Sequence, residues 1–197
     1  MKTARLKELL LQSLEHERGG VKIYETALKC TRNEDLAEEW TKYLEQTRNH
    51  VRVLTQVCEK LGLDPKEQTP GAKILHKMGA SLVSAMEEAR SAGDPDAAQI
   101  VASECVVLAE TKDHLDWELI GVAAKKLKAD EAKALKEAYE EIEDQEDEHL
   151  YHSRGWCREL WLDSLGIKAE LPPPEEKRHV KTAIGAARAE KARTNPH

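Results

Sequence analysis

The sequence predicts an all-α protein: a bundle of four long helices, with a shorter helix in the crossover between the second and the third. Three observations carry this. Apolar residues recur every three or four positions over four long segments, the spacing of one buried helix face. Ala, Leu, Glu and Lys dominate, charged residues make up 34% of the chain, and there are only 10 Gly and 7 Pro. Turn-forming residues gather at a few breaks between those segments, as short links between helices require. At 197 residues the chain can bury one sizeable core without demanding a second.

The first long helix is expected from about Thr3 to Cys30, with Leu6, Leu10, Ser13, Glu17, Val21, Tyr24 and Leu28 along its stripe. The second starts near Glu34, follows Trp40, Tyr43, Thr47, His50, Leu54, Val57 and Leu61, and stops at Gly62 with Pro65 behind it. DPKEQTPGA then reads as a turn, and the shorter helix is expected from about Lys73 to Ala92, with Ile74, Leu75, Met78, Leu82 and Met86 inward. Asp94 as N-cap and Pro95 at the first helical position open the third long helix, which runs to about Leu127. Asp130 is placed to cap the fourth, which continues to about Leu165 before Gly166 ends it.

Composition excludes several function classes. A net charge of −7 does not provide the concentrated positive field that a nucleic-acid platform needs. Cys30, Cys58, Cys105 and Cys157 lack CxxC spacing and fall one to a helix, so buried reduced thiols are expected rather than a zinc clip or redox pair. No stretch reaches the roughly 20 apolar residues of a membrane span, and the N-terminal segment lacks a cleavage-site pattern. A soluble cytoplasmic protein is the expectation.

The informative feature is where the apolar stripes break. An ionised carboxylate at a core position costs several kcal/mol unless it is paired or bound to a cation. Glu17 falls on the first stripe, His50 on the second, and Glu146 with His149 on the fourth, all near mid-helix. A Glu and a His three residues apart on one helix face can ligate one metal centre. The surrounding run EEIEDQEDEH is otherwise a solvated acidic face, so phase rather than acidity singles out this pair.

These residues resemble the ferritin-like superfamily of carboxylate-bridged di-iron proteins. The likeness rests on Glu17 followed seven residues later by Tyr24, and on the ExxH motif Glu146-Asp-Glu-His149. LEQTRNHVRVL from Leu44 to Leu54, with Glu110, Asp113 and Trp117, is more similar to the stress-associated YciF-type bacterial members. The resemblance covers roughly residues 4 to 165. It implies a ferritin-like four-helix bundle, often dimeric, with one or two iron or manganese ions and, for an enzyme, an oxidase- or peroxidase-like activity. The implied ligands are Glu17, His50, Glu110, Asp113, Glu146 and His149.

Two departures keep a second reading open. A helix-2 ExxH would need Glu at Thr47, and Glu45 lies about 200° around the helix from it. The third long helix is apolar around most of its circumference: Val106, Glu110, Asp113 and Trp117 form one stripe, and Val101, Cys105, Leu108, Lys112, Leu115, Leu119 and Val122 another. The second stripe inward would set the Lys112 ammonium against Glu17 and Glu146 in a charge-compensated, metal-free core. That alternative is a non-catalytic stress or interaction protein.

Tyr24 reads as core packing or as a hydrogen-bond partner of a ligand. His114 and His152 read as neighbours on flanking faces, either able to back a ligand, and His16 and His76 as surface residues. From Leu171 the character changes, which divides the chain into a bundle over 1–170 and a tail over 171–197. Three prolines form a stiff spacer, and residues 175–197 then carry six Lys or Arg against three Glu. Such a tail is expected to be a flexible or docking arm; nucleic-acid contact through it is the weaker alternative.

Overall fold

The computed structural model describes residues 3–127 and 129–169. They form five helices: α1 Thr3–Cys30, α2 Glu34–Lys60, α3 Pro70–Ser91, α4 Pro95–Lys126 and α5 Ala129–Ser164. Local chemistry accounts for most of the ends. Asn33 caps α2, its side chain accepting from Leu36 N at 3.0 Å. Gly62, at φ 69°, ends it, with Leu63 N donating to Cys58 O at 2.9 Å and Gly62 N to Glu59 O at 3.0 Å. Asp94 caps α4 by accepting from Asp96 N and Ala97 N, both at 3.1 Å.

α3 begins at Pro70, three residues before the expected Lys73, because Thr69 is an N-cap whose hydroxyl accepts from Ala72 N at 3.2 Å. The helix start at Ala129 likewise precedes the expected cap at Asp130. On α3, Leu75 and Met86 are buried as expected, but Ile74 and Met78 are exposed. α3 lies against α1 and α4 outside the four-helix core, so it needs only a narrow apolar seam.

The side chain of Gln99 accepts from Arg32 N at 2.7 Å and Asn33 N at 2.9 Å, which sets the start of α4 beside the start of α2. α3 therefore carries the chain back along the bundle. α4 runs parallel to α2, and α5 antiparallel to both. The crossover with its own helix is as expected. Within the bundle α1 packs on α2 and α4, and α5 packs on α4 and α2.

The apolar core falls into two clusters. Tyr24, Trp40, Tyr43, Val106 and Trp156 belong to the one at the α1–α2 turn. Leu10, Leu14, Leu54, Trp117 and Ile142 belong to the other. Between them lie the charged interruptions of the stripes.

α4 turns its more polar stripe inward. Val106, Glu110, Asp113 and Trp117 are buried, whereas Leu108, Leu115, Leu119 and Val122 are exposed. This overturns the arrangement with Lys112 inside: its ammonium is partly exposed and pairs with Asp116 at 2.5 Å, not with Glu17 or Glu146. The four cysteines are free, with Cys30, Cys58 and Cys105 buried; burial pushes the thiols of Cys58 and Cys105 up to about 11, which leaves them inert at neutral pH. Among the described residues no helix is long and apolar enough to cross a membrane. The tail over 171–197 lies outside the described residues.

Candidate metal centre

Four helices each contribute to one polar layer between the two apolar clusters. α1 supplies Glu17, α2 His50, α4 Glu110 and Asp113, and α5 Glu146 and His149, all of them buried. His50 Nδ1 lies 3.3 Å from Glu17 Oε1 and 3.1 Å from Glu146 Oε1. His149 Nδ1 lies 3.5 Å from Glu110 Oε2 and 3.8 Å from Glu146 Oε1. Among the described residues two groups result, each spanning no more than 4.8 Å between donor atoms: Glu17, His50 and Glu146, and Glu110, Glu146 and His149. Glu146 belongs to both.

Those close approaches do not satisfy the atoms. Glu17 Oε2, His50 Nδ1, Glu110 Oε2, both oxygens of Glu146 and His149 Nδ1 are buried with no hydrogen-bond partner. Leaving even one buried carboxylate uncompensated is costly, and here three meet around two imidazoles. A cation satisfies such a set, because every orphaned atom is a carboxylate oxygen or an imidazole nitrogen, the donors that iron, manganese and zinc accept.

The electrostatics follow from the crowding. Burial works against the imidazolium form of His50, yet Glu17 and Glu146 outweigh it and hold its pKa well above the usual value. Burial raises the Glu146 carboxyl, with Glu110 and Glu17 adding to the effect and His50 opposing it. Asp113, one turn along from Glu110, is pushed well up by burial and by Glu17, Glu146 and Glu110. It stands outside both triads, with Oδ1 buried and unpartnered. Glu110 is lowered in spite of burial, since His149 and a hydrogen bond from Tyr24 favour its charged form.

Neighbouring side chains hold the ligand candidates in place. Tyr24 donates to Glu110 Oε1 at 2.9 Å, and Trp117 Nε1 donates to Glu17 Oε1 at 2.8 Å. Thr47 directs its hydroxyl to Tyr43 O at 2.9 Å, so α2 contributes no carboxylate at that level. A Cβ built on Gly20 would lie 3.2 Å from the Thr47 methyl, so α1 and α2 pack closely there.

Residues 5–153 match the model of a family described as a domain of unknown function, DUF892. The chain belongs to that family. No curated protein and no solved structure gives a match. The DUF892 match takes in all six ligand candidates and ends four residues beyond His149, leaving the tail outside it.

In this DUF892 chain the flanking histidines divide. His152 belongs to the layer's surroundings: its Nδ1 lies 2.6 Å from Glu39 Oε1 and 2.7 Å from the Tyr43 hydroxyl. His114 instead pairs with Asp147 at 2.8 Å, away from the layer. His76 is exposed as expected, and His16 is half-buried, with Nε2 2.9 Å from Ala109 O. Sequence reasoning missed Glu39, which is buried and accepts from Tyr43 at 2.5 Å and from Trp156 at 3.0 Å. Its spacing held the signal, since Glu39 lies four residues before Tyr43 and next to Trp40. Gln145, whose Oε1 lies 3.0 Å from His50 Nε2, was also missed, hidden inside the acidic run.

Proposed function

We propose that this protein is a ferritin-like metal-binding protein of the YciF-type, holding iron or manganese in the polar layer of its bundle and serving stress or oxidant defence in the cytoplasm. The convergence of buried, unpartnered Glu and His atoms from four helices is the observation that carries this reading. Glu17 and His50 would hold one ion, Glu110 and His149 a second, with Glu146 between them. Either metal, when bound, supplies one-electron chemistry toward dioxygen or peroxide.

The chain's own residues orient and enclose. Tyr24 fixes Glu110 and Trp117 fixes Glu17, while the apolar clusters above and below exclude water from the layer. With Thr47 where a second bridging carboxylate would stand, Asp113 is the remaining acid able to serve as a fourth. A pair of divalent ions then meets four carboxylates, a neutral balance; without Asp113 the second ion is held more weakly.

Anaerobic reconstitution of the untagged protein with iron or manganese, followed by metal analysis, tests the proposal. Bound metal is expected in the wild type, much less in Glu146→Ala, and a lower stoichiometry in Asp113→Asn. Wild-type metal no higher than in Glu146→Ala would overturn the reading in favour of a metal-free interior. In that interior the His50 imidazolium, rather than Lys112, would offset Glu17 and Glu146.

A further inference from the structure

We propose that Gln46 and Gln145 are reciprocal positioning residues, each gripping the far nitrogen of the histidine on the opposite helix so that both Nδ1 atoms face the carboxylates. The role rests on the metal-centre reading above. An imidazole has two nitrogens and a free ring torsion, so a ligand histidine needs something behind it to fix which nitrogen points inward. Neither buried ring has a carboxylate behind it. His50 Nε2 lies 3.0 Å from Gln145 Oε1, and His149 Nε2 lies 3.0 Å from Gln46 Oε1.

The arrangement has a two-fold character that the sequence explains. Gln46 precedes His50 by four residues on α2, and Gln145 precedes His149 by four on α5. That spacing sets each Gln and His one above the other on a helix face. Because α2 and α5 are antiparallel, each Gln falls opposite the other helix's His, and the bonds cross. The two rings end up nearly parallel, with centroids 5.6 Å apart and planes 22° apart.

The chemistry of the backing group matters as well. An amide oxygen can only accept, so it fixes Nε2 as the N–H nitrogen and leaves the Nδ1 lone pair for a cation. Unlike a carboxylate in that position, it adds no negative charge and raises the basicity of the ring less. Both glutamines are half-buried, so each can be replaced without opening the apolar clusters.

The test uses full-length, ¹⁵N-labelled protein. In the metal-free state, Gln145→Leu should abolish the protected Nε2–H signal of His50 and spare that of His149, and Gln46→Leu should do the converse. With Zn(II) as the probe, each Leu variant should bind roughly 10- to 100-fold more weakly. Gln46→Glu and Gln145→Glu keep an acceptor and should hold or improve the affinity. Leu variants with wild-type affinity, loss of both signals in either variant, or Glu variants as weak as the Leu variants would each overturn the proposal. If the wild type binds neither Zn(II) nor the iron or manganese of the reconstitution, the metal reading falls, and the crossed pattern of Nε2–H signals still decides whether the glutamines orient the rings.

Discussion

Glu39 shows how much a single buried carboxylate can organise. Burial raises its pKa, but hydrogen bonds from His152, Tyr43 and Trp156 outweigh that and hold it below the usual carboxylate range. Removing it takes an acceptor from three buried donors and leaves Trp156 Nε1 with none, while Tyr43 and His152 still face each other at 2.7 Å, so Glu39→Ala should cost about 2–3 kcal/mol, read from the denaturant midpoint at constant slope. A cost below about 1 kcal/mol would mean that the network adds little beyond ordinary surface pairing. The polar layer gives a prediction of the opposite sign with pH. In the metal-free protein His50 has a raised pKa, so its contribution is present below the unfolded value of about 6.5 and is lost as pH rises through the folded value. Asp113 and Glu146 are also raised, and their contributions are lost in the same direction from about pH 4 upward. Glu39 and Glu110 are lowered, and theirs is lost only as pH falls below the usual carboxylate range. Metal-free protein should therefore melt at progressively lower temperature from roughly pH 5 to pH 8, while the rise in Tm on adding Mn(II) should grow over the same range as protons leave the ligands. A metal-free Tm that climbs across that interval would contradict the assignment.

At the scale of helices, the stripes of α1, α2 and α5 were legible because each is apolar enough to give its phase and is broken at mid-length by Glu17, His50 or the pair Glu146 and His149. α4 was not legible in that way. With apolar residues on almost every side, the face that carries Lys112 is the more apolar by periodicity alone, yet the face turned inward is the one with Glu110, Asp113 and Trp117. The start of α3 was misplaced for a smaller reason: Thr69-Pro70 is the same cap-and-proline signal as Asp94-Pro95, masked by the turn residues around it. Gln46 is legible only as a neutral residue near the α2 stripe, and the reciprocal role of the two glutamines appears only once α2 and α5 are known to be antiparallel neighbours. The α4–α5 pair also depends on Gly121, where an added Cβ would sit 2.5 Å from the Tyr139 ring. Gly121→Ala should therefore destabilise the fold by about 1–3 kcal/mol in spite of alanine's better helix propensity. In a Tyr139→Ala background the same change should be neutral or stabilising, so the double-mutant cycle separates ring clash from any backbone effect; equal costs in both backgrounds would rule the clash out.

Among the described residues, α4 leaves a row of aliphatic side chains exposed. Turning Glu110 and Asp113 inward turns Leu108, Leu115, Leu119 and Val122 outward, a row of aliphatic side chains about 21 Å long. Monomeric soluble proteins rarely leave such a row bare. A second copy laid antiparallel on the first sets the same row against itself, which is the self-complementarity a two-fold dimer needs, and we propose that α4 forms that interface. The row and the polar layer lie on opposite faces of one helix, so disrupting the first need not disturb the second. Light scattering on the full-length protein should give twice the 22.2 kDa chain mass. The double substitution Leu115→Glu and Leu119→Glu should reduce it to one chain mass without loss of helical signal or of bound metal. A wild type that is monomeric at micromolar concentration, or a double variant that stays dimeric, would sink the α4 interface. A variant that becomes monomeric and also loses its metal would instead show that pairing along α4 holds Glu110 and Asp113 in place.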